Sequence, residues 1–66
     1  MTINTKKLYL AMLNAGFDSA KHLSEVSGVS VNTISRLNNG GSAKVSTVRA
    51  LAATLNVDPA ELVEKG

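Results

Sequence analysis

The chain has 66 residues, of which 44% are hydrophobic and 18% are charged, with a formal net charge of +2 at pH 7 and no cysteine. This length allows one domain, and the composition excludes disorder, which needs low hydrophobicity and high net charge. Without cysteine there is no disulfide framework or thiolate metal site, and no apolar run approaches the roughly 18 residues of a membrane span. We therefore expect a single domain over residues 1–66 in the cytoplasm, without membrane contact.

Charge is distributed unevenly along the chain. Residues 1–49 hold six basic and two acidic side chains, a net charge of +4, whereas residues 50–66 hold one basic and three acidic ones, a net charge of −2. A basic N-terminal part and an acidic C-terminal part are typical of a protein that binds phosphates through its basic part. The bias is mild, so it supports a nucleic-acid partner without establishing one.

The first predicted helix runs from about Thr5 to Asn14, after a frayed end at residues 1–4. Its apolar residues follow the three-four spacing of a helix with one buried stripe. Gly16 is expected to end the helix, and Phe17 to pack into the core behind it. The stripe consists of Leu8, Ala11, Met12 and Ala15.

The stretch from Ser19 to Gly40 is predicted to form two short helices joined by a tight turn. The first of them runs from about Ala20 to Ser27, with either Asp18 or Ser19 as its cap. Gly28 can adopt the left-handed conformation that closes the last turn, and Ser30 can cap the next helix. A helix, a glycine turn and a capped helix make the pattern of a helix-turn-helix. The residues expected to point inward are Leu23, Val29, Ile34 and Leu37.

The second helix of this pair, at about residues 31–38, has a polar outer face with one apolar residue at its tip. The side chains on this face are Val31, Asn32, Thr33, Ser35 and Arg36. Asparagine can bond adenine, arginine can bond guanine, serine and threonine can bond either bases or phosphates, and valine can touch a thymine methyl. The alternative is a merely solvated face, but its position on the second helix of a helix-turn-helix favours DNA contact.

Turn chemistry follows at Asn38–Ser42, and Ser46 is expected to cap a fourth helix. The apolar residues of that helix recur at i, i+3, i+4 and i+7, which is the clearest amphipathic signal in the chain. They are Val48, Leu51, Ala52 and Leu55.

A short fifth helix is predicted from Ala60 to about Glu64. Asp58 is predicted to be its cap and Pro59 its first residue, because proline is favoured at the first position of a helix. Glu61 would complement the helix dipole in the first turn, and Leu62 would anchor the helix in the core.

As a whole, the chain resembles the Cro/repressor-type helix-turn-helix DNA-binding domains (lambda repressor-like, Xre family) of phages, mobile elements and bacterial regulators. The likeness spans about Leu8 to Leu62. It is carried by Leu23, Gly28, Val29-Ser30, Thr33-Ile34-Ser35-Arg36, Asn39-Gly40 and the ending from Ser46 to Leu62. The resemblance implies an all-α fold, a compact five-helix bundle with its helix-turn-helix at about residues 19–39.

In that family the third helix lies in the major groove and the second begins against a phosphate. The resemblance therefore implies that Val31, Asn32, Thr33 and Arg36 face bases or the groove, and that Ser35 reaches a base or the backbone. It implies two groups of phosphate-binding residues. They are Ser19, Ala20 and Lys21 at the start of the second helix, and Asn39, Ser42 and Lys44 in the loop after the third.

Enzymatic chemistry is not expected. The cluster of Asp18, Ser19 and His22 sits at a helix start, where Asp and Ser cap, and such close neighbours do not form an acyl-transfer site by themselves. One histidine without cysteine is poor support for a metal. Gly40 and Gly41 lack the ending of a phosphate loop, so we expect no metal, no cofactor and no small-molecule ligand.

The first hypothesis is a sequence-specific binder of a double-stranded DNA operator that regulates transcription as a repressor. A single domain offers few base contacts, so a homodimer on a two-fold site is expected, using the domain's own surface around the fifth helix and Val63. The alternative is a protein-interaction module on the same fold, such as an antitoxin. A third hypothesis is a non-specific architectural DNA binder, but proteins of that class usually have a higher net charge than +2.

Overall fold

The structure is a computed structural model that describes residues 1–64; Lys65, which was counted in the charge of the C-terminal part, lies outside them. Its helices are α1 (Thr5–Ala15), α2 (Ala20–Ser27), α3 (Val31–Asn38) and α4 (Val45–Leu55), followed by one turn of 3₁₀ helix at Pro59–Glu61. Over these 64 residues no helix is both long and apolar enough to cross a bilayer. The prediction of an all-α fold is confirmed.

One apolar core joins all four helices. Within residues 1–64 no polar or charged side chain is buried. The side chains with the least exposed surface are Ile3, Leu8, Leu23, Ile34, Leu37, Val48, Leu51 and Leu62. The inward stripes predicted for the helices are confirmed except at Ala15, which is exposed, and at Val29, which is only partly buried. Each fully buried leucine or isoleucine contributes about 1.5–3 kcal/mol of hydrophobic stabilisation.

Side-chain caps define where the first three helices begin. Asn4 accepts a hydrogen bond from the backbone N–H of Lys7 at 3.1 Å. Ser19, rather than Asp18, caps α2, because its hydroxyl accepts from the N–H of His22 at 3.1 Å. Each such cap satisfies one of the amides that the first turn of a helix leaves without a partner.

The cap predicted for the fourth helix is wrong. The helix begins at Val45, its N-cap is Lys44, and no side chain caps it. Ser46 is an exposed residue in the first turn. A serine caps a helix only from the position before its first residue, and Ser46 follows Val45 inside the helix.

The prediction that residues 1–4 are frayed is also wrong. Ile3 is 1% exposed, and the segment pairs with two other parts of the chain in isolated antiparallel bridges, Thr2 with Ser42 and Ile3 with Val63. The N-terminal segment, by which we mean residues 1–4, therefore lies between the loop that follows α3 and the C-terminal residues 62–64.

The five-helix count is corrected to four α-helices and a 3₁₀ turn. Asp58 and Glu61 form a reciprocal capping box with Pro59 in the first position, so a helix does begin where it was predicted. It stops after one turn because the N-terminal segment takes the next backbone groups. The N–H of Asn4 donates to the Leu62 carbonyl at 2.9 Å, and the N–H of Glu64 donates to the Thr2 carbonyl at 2.9 Å.

Candidate nucleic-acid interface

The turn between α2 and α3 is determined by its own residues. Gly28 has φ +80°, a left-handed conformation that costs glycine little, and its N–H donates to the Ser24 carbonyl at 2.9 Å. The hydroxyl of Ser27 accepts from the N–H of Val29 at 3.2 Å. Together these bonds set the angle between α2 and α3, as the helix-turn-helix pattern predicts.

Helix α3 is seated on the core by Ile34 and Leu37, which are both 0% exposed. The residues predicted to face DNA lie off this stripe. Four of them are exposed, namely Val31, Asn32, Ser35 and Arg36, and Thr33 is partly covered. A helix with a fixed inner stripe presents its outer side chains in a defined direction, which base recognition requires.

Thr33 is held in place by the cap of its own helix. Its N–H donates to the Ser30 hydroxyl at 3.2 Å, and that hydroxyl donates in turn to Thr33 Oγ1 at 2.8 Å. Since Thr33 Oγ1 accepts from Ser30, its own O–H is left to donate elsewhere. Such a donor suits a phosphate oxygen or a base acceptor such as guanine O6.

Arg36 packs against the loop that follows α3. The N–H of Gly41 donates to the Arg36 carbonyl at 3.2 Å, and a Cβ at Gly41 would lie 3.1 Å from Arg36 Cγ. No carboxylate among residues 1–64 forms an ion pair with its guanidinium. The stem of Arg36 is thus supported by the loop while its donors face solvent.

The loop after α3, residues 39–44, contains the second predicted group of phosphate-binding residues. Asn39 closes α3, because its side-chain amide donates to the Ser35 carbonyl at 3.0 Å. That bond uses one of its two amide hydrogens, and the other is left for a phosphate. Ser42 and Lys44 are both exposed. Lys44 stands at the start of α4, where the backbone N–H groups of the first turn lack a side-chain cap.

The three residues of the first predicted phosphate-binding group do not all lie at the same site. Ser19 and Ala20 line an open groove at the start of α2, whereas Lys21 does not line it and is exposed elsewhere on the helix. The same groove is lined by Lys6 and Tyr9 of α1, by Asn38 of α3 and by the acidic side chain of Asp18.

Lys6, Tyr9 and Asn38 are not among the site residues predicted from the sequence. The i, i+3 spacing of Lys6 and Tyr9 was the available signal, since it places a cation and a hydroxyl on one face of the first helix. Their proximity to Ser19 depends on how α1 packs, which the spacing does not reveal.

The cluster of Asp18, Ser19 and His22 has no catalytic geometry. His22 Nδ1 lies 3.9 Å from Asp18 Oδ1, and both side chains are well exposed. The ring of His22 lies 4.7 Å from that of Phe17. The Ser19 hydroxyl accepts from the backbone of α2 rather than contacting the imidazole as a nucleophile would. Over residues 1–64 no group of histidine, aspartate and glutamate side chains is placed to hold a metal ion.

Comparison with protein families gives one match. The model of the helix-turn-helix family HTH_3 matches residues 19–62, two thirds of the chain, from the cap of α2 to the buried leucine after the 3₁₀ turn. Searches among curated proteins and among solved structures found no match.

Proposed function

Because the chain belongs to the Xre/lambda repressor-like helix-turn-helix family, a family of DNA-binding proteins, we propose that it is a sequence-specific transcriptional regulator. In this proposal α3 lies in the major groove of double-stranded DNA and its outer face reads base edges. Occupying an operator would block polymerase, so the expected outcome is repression of a promoter of phage, mobile-element or bacterial type.

The observation that carries the proposal is the outer face of α3. Asn32 and Arg36 are exposed on a helix whose opposite side is fixed in the core by Ile34 and Leu37. Asn32 is suited to adenine and Arg36 to guanine, and each good bidentate pair discriminates against the wrong base by about 1–3 kcal/mol. Val31, which is 40% exposed, offers an apolar contact to a thymine methyl.

Phosphate contacts would come from both ends of the helix-turn-helix. At the start of α2, the groove lined by Ser19 and Ala20 offers backbone amides, with Lys6 supplying a positive charge. Beyond α3, Asn39, Ser42 and Lys44 would contact the backbone from the loop. Such contacts fix the register of the protein on DNA, and base contacts on α3 then select the sequence.

A homodimer on a two-fold operator completes the proposal, since few base contacts are available to one copy of α3. We place its contact surface beside the 3₁₀ turn, at a groove lined by Leu10 of α1 and by Val57 and Glu61. Leu10 is 50% exposed, and Lys7 on the same groove is opposite in charge to Glu61. A two-fold contact needs such a self-complementary surface.

Selection of bound duplexes from a random pool tests the proposal. The expected result is a two-fold consensus whose half-sites lie about one helical turn apart. Arg36→Ala should lower affinity and relax the preference at one base pair per half-site, whereas Lys44→Ala should weaken all duplexes alike. The protein-interaction module would be favoured instead if the selection enriches no sequence and if both variants have the same affinity for DNA as the wild type.

A further inference from the structure

We infer that the N-terminal segment positions the loop after α3 for phosphate contact, and that Ile3 is the positioning residue. The inference rests on the proposed function, because it assigns a role in DNA binding to residues that touch no DNA. The family match covers residues 19–62, so the N-terminal segment lies outside the matched part of the chain.

The loop after α3 is bonded to the N-terminal segment through its backbone. The N–H of Ala43 donates to the Met1 carbonyl at 2.8 Å, and the N–H of Ile3 donates to the Gly41 carbonyl at 3.4 Å. These bonds flank Ser42 and precede Lys44, the two exposed residues proposed to meet a phosphate. The backbone on either side of Ser42 is therefore placed by residues 1–3.

The N-terminal segment is itself fixed from two directions. Its other edge is bonded to residues 62–64, through Asn4 to the Leu62 carbonyl and through Glu64 to the Thr2 carbonyl, each at 2.9 Å. The side chain of Ile3 enters the core and is 1% exposed. Ile3 therefore connects the position of an exposed loop to the packing of the core.

The restraints on the loop differ between its two halves. Residues 39–41 are bonded to α3, whereas residues 42–44 are held by the N-terminal segment and by Ala43, which packs in the core, and α4 begins without a side-chain cap. A loop half that depends on backbone pairing to a short segment loosens when that segment loses its anchor. Shortening Ile3 should therefore cost the phosphate contact of Lys44 and leave the base contacts of α3 in place.

The experiment compares Ile3→Ala with Leu55→Ala. Leu55 is 3% exposed in the last turn of α4, at the end of the helix opposite to the loop, and it makes no backbone bond to the N-terminal segment, so its truncation also creates a core cavity but removes none of the bonds in question. Binding to the selected operator is measured over a salt series, at a temperature where urea unfolding shows both variants to be folded. Ile3→Val is the milder substitution for use where Ile3→Ala does not fold.

We expect the slope of log K against log salt to become shallower by about 0.9 for each bound copy of Ile3→Ala, the value of one lost phosphate contact per copy, and to stay unchanged in Leu55→Ala. The amide of Ala43 should exchange with solvent faster in Ile3→Ala only. Lys44→Ala should flatten the slope in the wild-type background and have no further effect in Ile3→Ala, because both changes remove the same contact.

Two results would overturn the inference, and they are distinct. If the wild type binds its operator and Ile3→Ala keeps the full slope, the N-terminal segment does not position the loop, although the proposed function stands. If the wild type binds no duplex, the proposed function fails and the inference fails with it.

Discussion

Ser30 and Thr33 exchange two hydrogen bonds at the start of α3. The Ser30 hydroxyl accepts from the N–H of Thr33 at 3.2 Å and donates to Thr33 Oγ1 at 2.8 Å. One residue thus caps the proposed recognition helix and also orients a proposed DNA-contacting side chain. The stability of the helix and the orientation of the Thr33 side chain therefore depend on the same hydroxyl.

Replacing that hydroxyl should therefore affect both properties. Ser30→Ala is expected to lower the free energy of unfolding by about 1 kcal/mol, the usual value of a serine cap. It should also weaken operator binding, because Thr33 is left to rotate. Urea unfolding measures the first effect and titration of the selected duplex measures the second.

Ser46→Ala is the matched control, because the sequence pattern predicts a cap there as well and the structure has none. This variant should change the free energy of unfolding by less than about 0.5 kcal/mol, as is usual for exposed sites without special contacts. Equal losses in the two variants would mean that Ser46 caps α4 after all.

Gly41 is expected to matter through its contact with Arg36. A Cβ at Gly41 would lie 3.1 Å from both the Cγ and the carbonyl oxygen of Arg36, so Gly41→Ala should displace the loop or the arginine stem. We expect a weakened preference at the base pair that Arg36 reads, measured by binding to duplexes that vary at that pair only.

Gly40→Ala is the control that distinguishes the effect of the Gly41–Arg36 contact from the effect of backbone strain in the loop. Gly40 has φ +94° with open space around it, so alanine there should destabilise the fold by about 1–2 kcal/mol without touching Arg36. Its base preferences should equal those of the wild type. The same loss of preference in both variants would trace the effect to loop strain rather than to Arg36.

The features predicted correctly from the sequence are those that neighbouring residues determine. Gly28 and Ser30 lie within a few residues of the groups they bond, so the turn and the bounds of α2 and α3 follow from local chemistry. The exposed face of α3 follows from the spacing of Ile34 and Leu37. The assignment of DNA-contacting residues on that face remains a prediction.

The features that were missed depend on residues distant in the chain. Nothing near Ile3 indicates that it pairs with Val63, and the early end of the 3₁₀ turn is a consequence of that pairing. The position of Lys6 beside Ser19 likewise arises from the packing of α1 against the rest of the fold. Periodicity identifies a buried stripe but does not identify its partner.

Lys6 and Lys7 are adjacent in sequence but line different grooves, which makes them a matched pair. Lys6 lies in the groove at the start of α2, where we propose a phosphate, so Lys6→Ala should flatten the salt dependence of binding to a single half-site by about 0.9 in slope. Lys7→Ala removes the same charge from the protein, and on a single half-site, where its proposed role in the dimer contact has no effect, it should leave the slope nearly unchanged. Equal flattening in both would indicate a diffuse effect of net charge rather than a phosphate contact.

The proposed dimer can be tested on α1 with two leucines of nearly equal exposure. Leu10 is 50% exposed and lines the groove beside the 3₁₀ turn, while Leu13 is 52% exposed and does not line it. Leu10→Asp should place a carboxylate near Glu61 of its own chain and in the apolar part of the contact. We expect it to abolish the dimer on DNA, measured by sedimentation with a two-site duplex.

Leu13→Asp makes the same chemical change on the same helix and should assemble as the wild type does. Both substitutions lower helix propensity equally, so a difference between them reports the contact and not the stability of α1. Binding of one copy to a single half-site should be unaffected by either change, because neither leucine lies on α2 or α3. If Leu13→Asp alone prevents the second copy from binding, the contact surface lies on the outer face of α1 and away from Glu61.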